Sequence, residues 1–143
     1  MMTMQPDQRI IEVVVEGRQR KCRMRRSAIV ALLLLGPTSA LAADPAAGQK
    51  IFQTQCGICH AVAPGQNRIG PTLFSVVGRR SGSVPGFNYT ADHKKLDVTW
   101  DAATLDKYLA NPRAMVPDTS MIYAGLKDNA ERADLVAYLG TLH

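Results

Sequence analysis

Between positions 56 and 60 the chain reads Cys56-Gly57-Ile58-Cys59-His60, and few architectures accommodate that run. Cysteine is scarce here. Of three in all, Cys22 lies in a basic leading segment, so Cys56 and Cys59 stand alone in the body. Three cysteines cannot make a disulfide framework. Two thiols one helical turn apart, followed at once by an imidazole, match the C-x-x-C-H attachment pattern of a c-type haem. The thiols can add to the two vinyl groups, and the histidine then projects beneath the iron. Two other chemistries use a C-x-x-C pair. A thioredoxin-like redox pair wants a βαβ context, which this sequence does not offer. A structural zinc site needs two more ligands, for which His93 and His143 are the spare histidines.

The 143 residues, 46% of them hydrophobic, suit one compact domain. Periodicity predicts three helices and no strand. Asp44-Pro45 opens the first, with Asp as N-cap and Pro where a missing N–H costs nothing. That helix is expected to reach about Gln55 and to bury Ile51 and Phe52. Gly48 inside it costs about 1 kcal/mol against Ala, which points to a close helix–helix approach. The second helix spans about Asp101 to Asn111, with Leu105, Tyr108 and Leu109 at helical spacing, and stops at Pro112. The third starts near Asp128 or Asn129, where Asp128 and Glu131 resemble a capping box. Its apolar stripe is Leu135, Val136, Leu139 and Leu142. From Ala61 to Tyr89 the chain is rich in Gly and Pro and reads as loops. The expected fold class is all-α and loop-rich. Three short helices with 6% aromatic residues make a thin core, so something else is expected to fill the centre.

The formal net charge of +5 suggests a nucleic-acid binder until the charge is located. Seven basic and three acidic residues precede Ala43, whereas ten basic and nine acidic lie from Ala43 to His143. The body is nearly neutral, and a nucleic-acid footprint on it is unsupported. The excess sits in the run from Arg18 to Arg26. An apolar stretch from Ala28 to Leu35 follows, then Gly36-Pro37, then Ala40-Leu41-Ala42. That is the order of a secretory signal with cleavage after Ala42. Eight apolar residues are too few to cross a bilayer, which takes about 20 in a helix. An uncleaved N-terminal anchor is the alternative. We therefore expect residues 1–42 to be an N-terminal extension plus a cleaved signal peptide, and residues 43–143 to be the mature domain. The compartment is then the periplasm, with no permanent membrane span after processing.

Met115 and Met121 are the two methionines after Ala42. A methionine as second axial ligand would give the His/Met coordination that raises haem potential in electron carriers. Both sit in the loop after Pro112, and position alone does not separate them.

From Gly48 to the C-terminus the chain resembles a class I cytochrome c of the mitochondrial and bacterial soluble mono-haem type. The landmarks are Gly48 and Phe52, the Cys56–His60 motif, Gly70-Pro71, Gly78-Arg79, Pro85-Gly86-Phe87-Asn88-Tyr89, Trp100, Tyr108-Leu109, Asn111-Pro112, Thr119-Ser120-Met121-Ile122, Ala124-Gly125, Glu131-Arg132-Ala133-Asp134-Leu135 and Ala137-Tyr138-Leu139. The resemblance implies three main helices and long loops wrapped around one covalent haem c, held by Cys56 and Cys59. It makes His60 and Met121 the axial metal ligands and Met115 an ordinary loop residue. Pro71 would offer its carbonyl to the His60 ring, and Tyr108 would hydrogen-bond near the Met121 sulfur. Arg79, Tyr89, Trp100 and Thr119 would solvate the haem propionates. Gly48, Phe52, Leu135 and Tyr138 would form the crossing of first and last helices. The function implied is a monomeric electron carrier, not an enzyme. Its redox partners would be a cytochrome complex, an oxidase or a dehydrogenase. Some positions depart from the family: Asp118 where Gly is common, His93 where Asn is, and neutral Gln55, Ala114 and Ser120 where relatives often carry Lys.

Overall fold

A computed structural model describes residues 42–143. The signal and all but the last residue of the predicted leader lie outside the described residues. Asp44 starts the first helix as its sequence suggests. The carboxylate accepts the Ala46 N–H at 2.8 Å, and Pro45 takes the first position of α1 (Pro45–Ile51). The α register then ends sooner than the expected Gln55. From Phe52 to Cys56 the helix widens into a π turn, with the Gly57 N–H donating to the Phe52 carbonyl at 2.8 Å. A π turn re-aims whatever follows it, and here Cys59 and His60 follow. Phe52 is buried in the core while Cys56 faces a cavity, and the wider turn serves both.

Two short helices were not anticipated. Thr90 caps α2 (Ala91–Lys95), and Pro112 opens α4 (Pro112–Met115). Pro112 ends α3 (Ala102–Ala110) as expected, but it also suits the first position of a new turn. Asp101 caps α3 through the Thr104 N–H at 2.7 Å. Asp128 caps α5 (Asn129–Gly140), its carboxylate accepting from Ala130 and Glu131 at 2.8 and 2.9 Å. Among the described residues the extended structure amounts to one isolated antiparallel bridge, Arg80 with Thr99. The fold is all-α.

The core forms where α1 crosses α5 and α3 packs beside them. Gly48 makes the crossing possible. A Cβ there would run into the Asp134 backbone carbonyl and come within 2.9 Å of the Tyr138 Cβ. Phe52 sets its ring 5.5 Å from that of Tyr138, and Leu135 is completely buried. Leu105, Tyr108, Trp100 and Val116 complete the cluster. Arg132 on α5 is buried too, and its guanidinium is well supplied with acceptors. It reaches Asp106 of α3 at 2.6 Å, the Leu126 carbonyl at 2.9 Å and the Asn129 side chain at 2.8 Å. Asp106 itself is partly exposed, but a buried guanidinium left without acceptors is costly, so this network ties α3 to α5.

Candidate cofactor site

Beside the core lies a cavity of about 440 Å³. The π turn and its continuation bring Cys56, Cys59 and His60 into the wall; the loops between α1 and α3 bring Pro71, Arg79, Tyr89 and Trp100. Tyr108 enters from α3, and Thr119 and Met121 from the loop before α5. Every residue singled out in the sequence for binding therefore lines one space. Met115 does not; it packs against the core instead. Leu73, Val76, Leu105, Leu135 and Leu139 make the rest of the wall apolar.

The His60 ring has one nitrogen committed and the other free. Its Nδ1–H donates to the Pro71 carbonyl at 2.7 Å, since a carbonyl can only accept. That fixes the tautomer and leaves the Nε2 lone pair free. Burial pushes the imidazole below its ordinary range; the Pro71 bond opposes this and the Arg79 charge adds to it. Gly70 passes flat against the ring, and a Cβ at that position would strike the imidazole. Among the described residues Arg79 is the one Lys or Arg in the wall, and no Asp or Glu joins it. Its guanidinium donates to the Phe74 and Thr72 carbonyls at 2.8 and 2.9 Å. Tyr108 pairs with the Thr119 side chain, and burial raises both Tyr108 and Tyr89. His93 stands in the same wall, 4.9 Å ring to ring from Tyr89, with Trp100 and Tyr108 slightly farther off.

These features suit a large apolar group with an anionic end and a metal that takes nitrogen and sulfur. The competing uses of a C-x-x-C pair fit poorly. Burial, then the neighbouring Cys59, pushes the Cys56 thiol up to about 11. A redox-active cysteine needs the opposite shift. Among the described residues no three His, Cys, Asp or Glu side chains gather as a metal site, so zinc lacks its ligands. The Cytochrome c family model matches residues 45–143.

The chain belongs to the cytochrome c family.

It is 49% identical over 118 residues to cytochrome c2 of Rhodomicrobium vannielii, covering 81% of this chain and 94% of that protein. Cytochrome c2 of Rhodopila globiformis is 44% identical over 104 residues, 73% of this chain and 98% of its own. Cytochrome c type-1 of Ascaris suum is 45% identical over 96 residues, 67% of this chain and 86% of its own. Membership carries a c-type haem as cofactor and a role in respiratory electron transport, as a carrier rather than an enzyme. No helix among the described residues is long and apolar enough to cross a membrane.

Sequence reasoning missed the Arg132 network and the contacts of Asp118. Arg132 stood among the family landmarks without a role; an arginine inside an apolar helical stripe was the available signal. Asp118 was marked only as a departure, and its carboxylate accepts the Asp92 N–H at 3.1 Å across 26 positions of sequence.

Proposed function

We propose that this cytochrome c is a periplasmic one-electron carrier whose single haem is joined to Cys56 and Cys59 and ligated by His60 and Met121. The observation that carries this reading is convergence. Residues from five separate stretches of chain, including one of the two candidate methionines, line one cavity around the C-x-x-C-H segment. A haem held there supplies a ferric–ferrous couple. His60 would offer Nε2 with Pro71 holding its ring, and Met121 would offer its thioether. If His60 and Met121 both hold the iron, the chain would leave no place on it for a substrate. Arg79, Tyr89, Trp100 and Thr119 would meet the carboxylates of the group, which are costly to bury without donors. Tyr108, bonded to Thr119, would stand near the Met121 sulfur.

The partners fit the same reading. Ile69 and Ile122, which reach the cavity wall, are 77% and 98% exposed, and Ile58 of the motif is 72% exposed. An apolar rim of this kind suits short-range contact with a cytochrome complex, oxidase or dehydrogenase by a monomeric carrier. The mature domain would be residues 43–143, released by cleavage after Ala42.

Intact mass of the exported protein tests the proposal. The expected species is the 101-residue chain from Ala43 to His143 plus one haem, with the haem retained through acid–acetone extraction. Haem lost to the solvent would overturn the covalent assignment. A membrane-extracted species still carrying the stretch from Ala28 to Leu35 would overturn the processing.

A further inference from the structure

The segment between α4 and α5 carries Met121 and has no regular structure of its own. Its inner side is fixed by burial. Val116 is 0% exposed, and the buried Thr119 accepts the Met121 N–H on its hydroxyl at 3.2 Å while pairing with Tyr108. Its outer side has a different fastening. Asp118, three residues before Met121, sends its carboxylate to the first turn of α2, where the Asp92 N–H donates at 3.1 Å. The Thr90 hydroxyl, the Ala91 N–H and the Lys95 charge also favour the carboxylate there.

The chemistry on the α2 side explains why a carboxylate suits the position. The first N–H groups of a helix have no partner within it, and a helix of five residues is too short to hold itself together in water. Thr90 covers one donor, His93 N–H, at a long 3.4 Å. Asp118 covers the next. Each segment thus holds the other. Burial pushes the Asp118 carboxyl up, but the hydrogen bond from Asp92, the donors of Thr90 and Ala91 beside it and Lys95 together bring it below the ordinary range, so the fastening is charged at neutral pH. Beyond Met121, Ile122 is almost fully exposed, and the next contacts are the Tyr123 N–H with the Met121 carbonyl at 3.1 Å, the Tyr123 hydroxyl with Gln55 at 2.8 Å and the Leu126 N–H with the Leu109 carbonyl at 2.9 Å.

We propose that Asp118 is a positioning residue: it fastens the Met121 loop to α2 and so sets how readily the Met121 sulfur gives up its place to another ligand. This rests on Met121 being the axial ligand. Opening that contact frees the backbone before Met121 to swing, so displacement of the sulfur becomes easier. The effect is local, because Val116 and the α1–α5 crossing need not move.

The test is a titration of the ferric holoprotein with imidazole at neutral pH, followed by loss of the sulfur-to-ferric charge-transfer absorption. Asp118→Gly is expected to raise the apparent affinity for imidazole roughly threefold to thirtyfold, the span seen when a helix loses its N-terminal acceptor. Asp118→Asn keeps an acceptor oxygen without the charge and should fall between. Ala91→Pro removes a donor from the α2 side at a first helical position, and Thr90 already has the extended backbone that precedes proline. It should shift affinity in the same direction by less. The denaturant midpoint of global unfolding should stay close to that of the parent in all three. Asp118→Gly with parental imidazole affinity would overturn the proposal. If that variant does not mature, parental affinity in Ala91→Pro overturns it equally. A parent protein lacking the charge-transfer absorption would count against Met121 as ligand, a separate failure.

Discussion

At the crossing of α1 and α5 the chain packs against itself, with Gly48 on the Asp134 carbonyl and Phe52 against the Tyr138 ring. Around the cavity the opposite holds. Residues 61–89 and 116–128 turn Pro71, Arg79, Tyr89, Thr119 and Met121 toward a space of about 440 Å³ that no side chain fills. The first region is held by contacts of the chain with itself. The second depends on what occupies it. One chain thus divides its labour: a helix corner packed on itself supports a loop wall that faces the cavity.

The contrast can be broken most forcefully from the cavity side. Cys56→Ala together with Cys59→Ala should prevent covalent retention of haem and leave a poorly folded, protease-sensitive chain. Without the group the apolar wall of the cavity has no partner to pack on, and the loops that carry it lose their support. Limited proteolysis and circular dichroism of the exported variant check this; a stable, helical, haem-free chain would show that the loop wall stands unaided. Next in size is Gly48→Ala. Alanine usually favours a helix, yet here its methyl meets backbone, so a loss of about 1–3 kcal/mol is expected. The denaturation midpoint should fall while the haem absorption of the folded protein stays unchanged.

A smaller effect sharpens the comparison through pH. Burial holds the His93 imidazole below its ordinary 6.5, with Asp118 opposing. As pH falls through about 6.5 the unfolded chain takes the proton first, so this group costs the folded state stability until His93 itself is protonated. His93→Asn removes that share of the slope. Denaturation midpoints between about pH 7 and pH 5 should therefore fall less in the variant than in the parent. The carboxyls of Asp101 and Asp118 are lowered, so their contribution is present above the ordinary carboxylate range and is lost only at more acid pH. Equal slopes in parent and variant would mean that His93 is not shielded by the aromatic wall.

What was legible in the sequence follows the same division. Asp44-Pro45, Asp101 and Asp128 marked the helix starts because a capping carboxylate acts within three residues of itself. The stripe on α5 was readable for the same reason of short range. The π turn from Phe52 to Cys56 was not, since its hydrogen-bond register answers to what Phe52 and Cys56 must each face in three dimensions. Thr90 and Pro112 were available as signals for α2 and α4, but helices of five and four residues carry too little periodicity to stand out. Around the cavity, composition and spacing yielded the C-x-x-C-H segment and the pair Met115 and Met121 without choosing between them. Arg79, Tyr89, Trp100 and Thr119 came from resemblance, because loop residues that converge on a guest leave no local pattern. The tie from Asp118 to Asp92 had no signal beyond an unusual carboxylate.

The central claim is that the cavity wall holds an iron between His60 and Met121, and the two methionines test it most directly. Met121→Ala and Met115→Ala are to be compared by near-infrared absorption of the ferric holoprotein and by redox titration. The account predicts that Met121→Ala loses the sulfur-to-ferric charge-transfer absorption and acquires a lower midpoint potential. Met115→Ala, whose side chain packs on the core outside the cavity, should keep both. Loss of the absorption in Met115→Ala with its retention in Met121→Ala would contradict the account.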